Sequence, residues 1–300
     1  MEPIETLAGT VDRAQSGDGQ GLPAHRLVAV RDLVLQLADD DLVLGHRDSE
    51  WLGLAPDLEP DVAMASIAQD EVGHAAAFYG LLEELGLGAP DRLAFGRSPG
   101  EFRNAVLLEL PNGAGTYLQA PRFDWAFAVV RHYVYDLFES IRLEALAAST
   151  FAPLASLARK IQVEERYHLL YGHTWLARLA AGPPEARRRL ERAIRRVLDE
   201  AADLCDLGQH EAELVAAGLV PASSTVLRER WCGRLRAALQ EAGLGEGAGL
   251  LLPGQPAGHG KGEVRAGMGL NGRCGRHSPH LAALLDTMGE VIRSDREAIW

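Results

Sequence analysis

Glu71 precedes His74 by three positions in "IAQDEVGHAAAFYG", residues 67 to 80, and Glu165 precedes His168 by the same step in "IQVEERYHLLYG", residues 161 to 172. Residues three apart share one face of a helix, so a Glu oxygen and a His nitrogen at this spacing reach the same ion. The chain has ten histidines. A Glu stands three places upstream of any one of them with a chance of roughly one in fourteen, which gives somewhat under one such pair at random. The sequence contains two, both among small and apolar residues. Di-iron carboxylate bundles take a Glu-x-x-His from each of two helices and a single carboxylate from each of the other two. The two pairs meet half of that requirement.

The other half must come from the helices that precede each pair. Asp41 lies 30 residues before Glu71, on the face marked by Leu33, Leu37 and Leu44, where a charge is costly unless paired or metal-bound. Asp40 competes with it, and Asp39 reads as a solvated acid. Asp136 precedes Glu165 by 29 residues and Glu139 precedes it by 26. Asp136 is favoured, with Glu139 as a substitute or an additional ligand. An oxygen-rich site containing histidine and open positions suits iron, with manganese as the alternative, better than closed tetrahedral zinc. Iron in such a site can reduce and activate O2, which becomes the co-substrate. His132, His173, His210 and His259 lack this context and read as core or surface histidines. Tyr133, Tyr135, Tyr167 and Trp125 read as packing aromatics.

The elements that must position these groups are helical. From His25 to about Arg47 the apolar residues recur at helical steps, with a short acidic interruption. A second helix starts at "EPD", with Pro60 in its first turn, and stops at Gly86. Residues 87 to 121 read as an irregular connection. A third long helix runs from Asp124, and a fourth follows a break near Thr150 to Pro153 and ends about Ala181. Further helical patterns cover 184 to 206 and 223 to 242, then a Gly-rich stretch from 243 to 275, then a last helix from about Ser278. No period-two strand pattern stands out, so the class is all-α. Residues 1 to 23 form a loose arm. Residues 24 to 300 form one helical domain, with a core bundle over 25 to 182 and C-terminal helices and a Gly-rich loop over 183 to 300.

Composition bounds the function. Three hundred residues with 47% hydrophobic content bury a sizeable core. A net charge of -12 argues against binding nucleic acid, whose partners present basic surface. The basic run "EARRRLERAIRR" alternates with acids and reads as one solvated helix face. Cys205, Cys232 and Cys274 are few and far apart, which fits a reducing compartment. With neither a signal peptide nor a long apolar run, no membrane role is expected and the location is cytoplasmic.

Several segments are similar to those of a known family: "LADDDLVLGHRDSEWLG", "DVAMASIAQDEVGHA", "FRNAVLLELPNG", "DWAFAVVRHYV", "ERYHLLYGHTWLARL" and "GRHSPHLAALLDTMGEVIRS". Together, and in this order from about residue 25 to the final Trp300, they resemble the C subunits of the phenylacetyl-CoA epoxidase (ring 1,2-epoxidase) complex. The resemblance implies a ferritin-like four-helix bundle acting in aerobic phenylacetate breakdown, as a homo- or hetero-oligomer. It further implies a homologous A-type subunit that carries a di-iron site and a reductase that supplies electrons from NADPH. In that family the C-type subunit is usually structural and has lost most metal ligands. This sequence departs from the pattern by offering Glu71, His74, Glu165 and His168 with Asp41 and an acid at 136 or 139. It also carries an extra "AGTYLQAPRF" before "DWAF". The expectation is a C-type subunit of an aryl-CoA monooxygenase that retains its own di-iron site. The alternatives are a self-sufficient di-iron oxygenase on another substrate and a metal-free scaffold.

Overall fold

A computed structural model of the chain describes residues 22–244 and 269–295. The helices are α1 (Ala24–Ser49), α2 (Leu58–Glu84), α3 (Pro90–Phe95), α4 (Val106–Glu109), α5 (Trp125–Leu146), α6 (Ala152–Ala180), α7 (Pro184–Glu200), α8 (Glu211–Ala216), α9 (Ser224–Glu241), α10 (Pro279–Met288) and α11 (Glu290–Ser294). The fold is all-α, a ferritin-like helical bundle carried by α1, α2, α5 and α6. α1 packs against α2, α5 packs against α6, and α2 faces α6 more loosely. One continuous apolar cluster joins these helices to α7, α9 and α10. A small second cluster gathers around Trp51, Met64 and Ala128. The expected arm at 1 to 23 and most of the Gly-rich stretch fall outside the described residues.

The helix boundaries follow from local chemistry. Asp57 accepts a hydrogen bond from the backbone N–H of Leu58, the first residue of α2, and Glu59 and Asp61 favour its positive end. α2 ends where Gly86 turns left-handed, φ 75°, with Leu87 N–H closing onto the Leu82 carbonyl. Asp124 caps α5 by accepting from Ala126 N–H, and Pro153 fits the first turn of α6. α7 turns Leu190, Ala193, Ile194 and Val197 inward. Its arginines 188 and 189 reach Glu185 on the exposed face, so the basic run is a solvated face.

Two differences from the sequence expectations matter. First, the acidic stretch does not interrupt α1, and Asp39 is not a solvated acid. It is fully buried and accepts hydrogen bonds from Tyr79 Oη at 2.6 Å, Arg97 Nη1 at 3.0 Å and the Arg103 backbone N–H at 2.7 Å. The reason is that α4 and the 99–113 and 269–278 segments wrap over α1, which leaves it almost no solvent face. Second, the 87–121 connection contains short helices and opens a hairpin of β1 (Gly113–Thr116) and β2 (Gln119–Phe123). Gly113 pairs with Phe123 and a bulge lies between Ala114 and Thr116. Both strands are mostly exposed, so no apolar face marked them in the sequence.

Gly45 sets the approach of α1 to α2. A Cβ there would stand 2.9 Å from Glu71 Cβ and 3.1 Å from the Ala68 carbonyl oxygen. Only a residue without a side chain lets the two helices close at the level of Glu71. Gly172 plays the same part between α6 and α5, where a Cβ would meet Tyr133 Cβ at 3.1 Å. No described helix is long and apolar enough to cross a membrane.

Candidate metal centre

Midway along the bundle, α1 brings Asp41, α2 brings Glu71 and His74, α5 brings His132 and Asp136, and α6 brings Glu165 and His168. All are buried. Their donor atoms form three sets, each with every donor within 4.8 Å of the others: Asp41 with Glu71 and His74; Glu71 with Asp136 and Glu165; Glu71 with His132 and His168. Glu71 belongs to all three and lies at the middle. Glu139 lies beside the cluster but turns to Arg142, whose Nε is 2.6 Å from its Oε2. Asp40 points away, accepting from Ala105 N–H, Arg142 and Arg273, each at 2.8 Å.

The two histidines of the Glu-x-x-His pairs are wired alike. His74 Nε2 is 2.7 Å from Glu164 Oε2, and His168 Nε2 is 3.2 Å from Asp70 Oδ2. Each imidazole is therefore held at its outer nitrogen by the acid that precedes the other helix's Glu. Each inner nitrogen, Nδ1, faces Glu165 Oε1, at 3.4 Å for His74 and 3.3 Å for His168. A carboxylate on one ring nitrogen fixes the tautomer and presents the other nitrogen's lone pair, as around metal-bound histidines. The signal in the sequence was the acid immediately before each Glu, Asp70-Glu71 and Glu164-Glu165.

The electrostatics are unresolved without a cation. Buried arginines pair off three acids: Arg131 with Asp48, Arg142 with Glu139 and Arg273 with Asp40. That leaves Asp41, Glu71, Asp136 and Glu165, four carboxylates without an arginine partner, among the imidazoles of His74, His132 and His168. Both oxygens of Glu71, both of Asp136, and the inner nitrogens of His74 and His168 have no hydrogen-bond partner, though buried polar groups are nearly always satisfied. Burial, then the charge on Glu71, holds Asp41 well above the usual carboxylate range. Burial raises Asp136 likewise: His132 pulls it down, and Glu165 adds to the rise. Burial opposes charge on His168, yet Glu165 and Glu71 push it up to about 12. Against the same opposition, Glu165 and Asp41 push His74 to about 10. These are the strains of a negative cluster that takes up protons when nothing else neutralises it.

The donors fit a pair of oxygen-loving transition ions. Tyr135 Oη donates to Asp41 Oδ1 at 2.5 Å, which fixes that carboxylate. This tyrosine is more than packing. Tyr167, by contrast, is 71% exposed and stands away from the cluster. A cleft of about 420 Å³ between α2 and α6, lined by Asp70, His74, Lys160 and Glu164, runs in from the surface to the outer side of His74. His132 is the neighbour of the cluster that sequence spacing missed, because its partners Asp48 and Asp136 are not in a Glu-x-x-His step.

A ferritin-like bundle with a buried carboxylate and imidazole cluster is the class that this fold and site define. The chain belongs to the phenylacetic acid catabolic protein family, whose sequence model matches residues 18–300. It is 32% identical over 260 residues to the C component of the 1,2-phenylacetyl-CoA epoxidase of Escherichia coli (strain K12), covering 86% of this chain and 94% of that protein. It is 25% identical over 176 residues to the A component of the same organism's enzyme, covering 58% of this chain and 52% of that one.

Proposed function

We propose that this chain is a C-type subunit of a multicomponent aryl-CoA ring epoxidase in aerobic aromatic catabolism, with phenylacetyl-CoA as the substrate its relatives point to. We propose further that it retains a di-iron centre, held by Asp41, Glu71, His74, Asp136, Glu165 and His168, with Glu139 beside it. Its partners are a reductase that supplies electrons and a homologous A-type subunit. Family membership and similarity to both epoxidase components support the complex. The observation that carries the metal reading is the inward pair of Nδ1 atoms on His74 and His168, each ring fastened from outside by Glu164 or Asp70.

When bound, the iron pair supplies redox chemistry toward O2. The chain's own groups bind and orient it. Glu71 and Glu165 face the histidines from the middle of the cluster and would help to hold the pair. Tyr135 holds Asp41 in place. Burial raises Glu139 above the usual carboxylate range, against the pull of Arg142, and its Oε1 has no hydrogen-bond partner. The surrounding apolar core excludes water, which strengthens every charge interaction inside it.

A complete donor set within one chain also favours a self-sufficient di-iron oxygenase. The contacts between histidines and carboxylates favour a metal-free scaffold. One experiment separates the three: express the chain with and without an A-type subunit in iron-replete medium, then measure iron content and copurification. About two irons per chain with a copurifying A-type partner supports the proposal. Two irons without association points to the self-sufficient enzyme, and no iron points to the scaffold.

A further inference from the structure

His132 sits between two carboxylates from different helices. Its Nδ1 is 2.8 Å from Asp48 Oδ2, near the end of α1, and its Nε2 is 3.2 Å from Asp136 Oδ2, one turn along α5. Neither nitrogen has the alignment of a hydrogen bond. The ring is 1% exposed and its centroid lies 5.9 Å from that of His168. Asp48 is already neutralised, since Arg131 Nη2 donates to its Oδ1 at 3.1 Å. Arg131 is itself anchored on the Leu110 carbonyl and Asn112 Oδ1, at 2.8 and 2.9 Å. Asp48 thus has one oxygen toward Arg131 and the other toward His132. It can accept Nδ1–H from a neutral imidazole, which turns the Nε2 lone pair inward.

This repeats the arrangement of His74 and His168: an outer acid on one nitrogen and the cluster on the other. A nitrogen of His132 lies within 4.8 Å of donor atoms of both Glu71 and His168. We propose that His132 is a third imidazole ligand of the centre, bound through Nε2 to the ion that His168 and Asp136 hold, with Asp48 as its positioning residue. The proposal rests on the di-iron reading above and adds an asymmetry to it. The ion near His74 and Asp41 has one nitrogen donor, whereas its neighbour has two.

The test is anaerobic loading of the full chain with iron-57 as Fe(II), with iron counted by titration and each ion resolved by Mössbauer spectroscopy. The wild type, His132→Gln and Asp48→Asn are compared, with the melting temperature of each metal-free form as a check of folding. The wild type should give two inequivalent signals. In His132→Gln one signal should change and its ion bind at least about tenfold more weakly, while the other signal stays put. Asp48→Asn should weaken the same ion by about 10- to 100-fold, the range for partners of metal-bound histidine. If His132→Gln does not fold, the Asp48→Asn spectrum decides. Two ions with unchanged spectra in a folded His132→Gln chain, or in Asp48→Asn where that variant decides, would overturn the proposal and leave His132 a structural contact. A wild type that takes up no iron overturns the di-iron reading itself, so the two failures are distinguished by whether the wild type loads.

Discussion

Glu164 Oε2 stands 2.7 Å from His74 Nε2, and the residue after Glu164 is the Glu that faces the same ring's other nitrogen. Consecutive acids on α6 thus grip one imidazole of α2 from both sides. Asp70 and Glu71 do the same to His168 from α2. The two helices brace each other's ligands, and that cross-bracing gives the first prediction. Glu164→Gln should weaken the ion near His74, and Asp70→Asn the ion near His168, each by about 10- to 100-fold. Competitive iron titration against a chelator reads both. Equal effects of either variant on both ions would show that the bracing is not specific to one ring.

Glu71 is shared by every donor set and Glu165 faces both histidines. The double variant Glu71→Ala and Glu165→Ala should purify with no iron and lack the visible absorption of the oxidised wild type. If iron content were unchanged, the ligands would have been assigned wrongly.

Metal uptake should strengthen with pH. Without a cation, His74 and His168 sit at about 10 and about 12, so both carry protons at neutrality that an ion must displace. Iron affinity should rise from pH 6 to pH 8, with protons released on binding, measurable by calorimetry in buffers of different ionisation enthalpy. The metal-free chain should show the opposite trend. A histidine raised in the folded state contributes stability fully below its unfolded value near 6.5, and loses it as pH rises toward 10 and 12. The gap in melting temperature between loaded and metal-free protein should therefore widen with pH.

Gly45→Ala tests the close approach at Glu71. Alanine gains about 1 kcal/mol of helix propensity over glycine. The added methyl, however, meets Glu71 Cβ at 2.9 Å, and overpacking costs typically about 1–3 kcal/mol. The clash should win. The variant is expected to melt below the wild type and to bind iron less tightly, since Glu71 is what must move. A higher melting temperature would mean that the helices separate freely.

Arg142→Met leaves Asp40 and Glu139 sharing too little positive charge in a dry interior. Removing one member of a buried ion pair costs about 3–5 kcal/mol, so denaturant unfolding should show a loss of that order. The double variant with Glu139→Gln should recover part of it.

The helices and most donors were legible in the sequence for one reason: both obey the helical period. Glu71 with His74 and Glu165 with His168 needed only a step of three, and Asp41 needed only its place on the leucine face of α1. What escaped depended on the third dimension. Asp39 reads as solvated until the chain after α3 brings Arg97 and Arg103 over it. His132 gains meaning only from Asp48, 84 positions earlier. The hairpin after Asn112 has no buried face to pattern its strands.

Arg273 reaches back 233 positions to Asp40, and Gly272 N–H bonds Asp203 Oδ2 at 2.7 Å. The acid next to Asp41 is thus matched by a cation from a segment that lies far from it along the chain. A nascent chain stopped before residue 273 would have its four long helices but lack one of the buried counter-charges that hold the acidic stretch in place. Loss of the 269–278 segment, far away in sequence, should therefore reach the heart of the bundle.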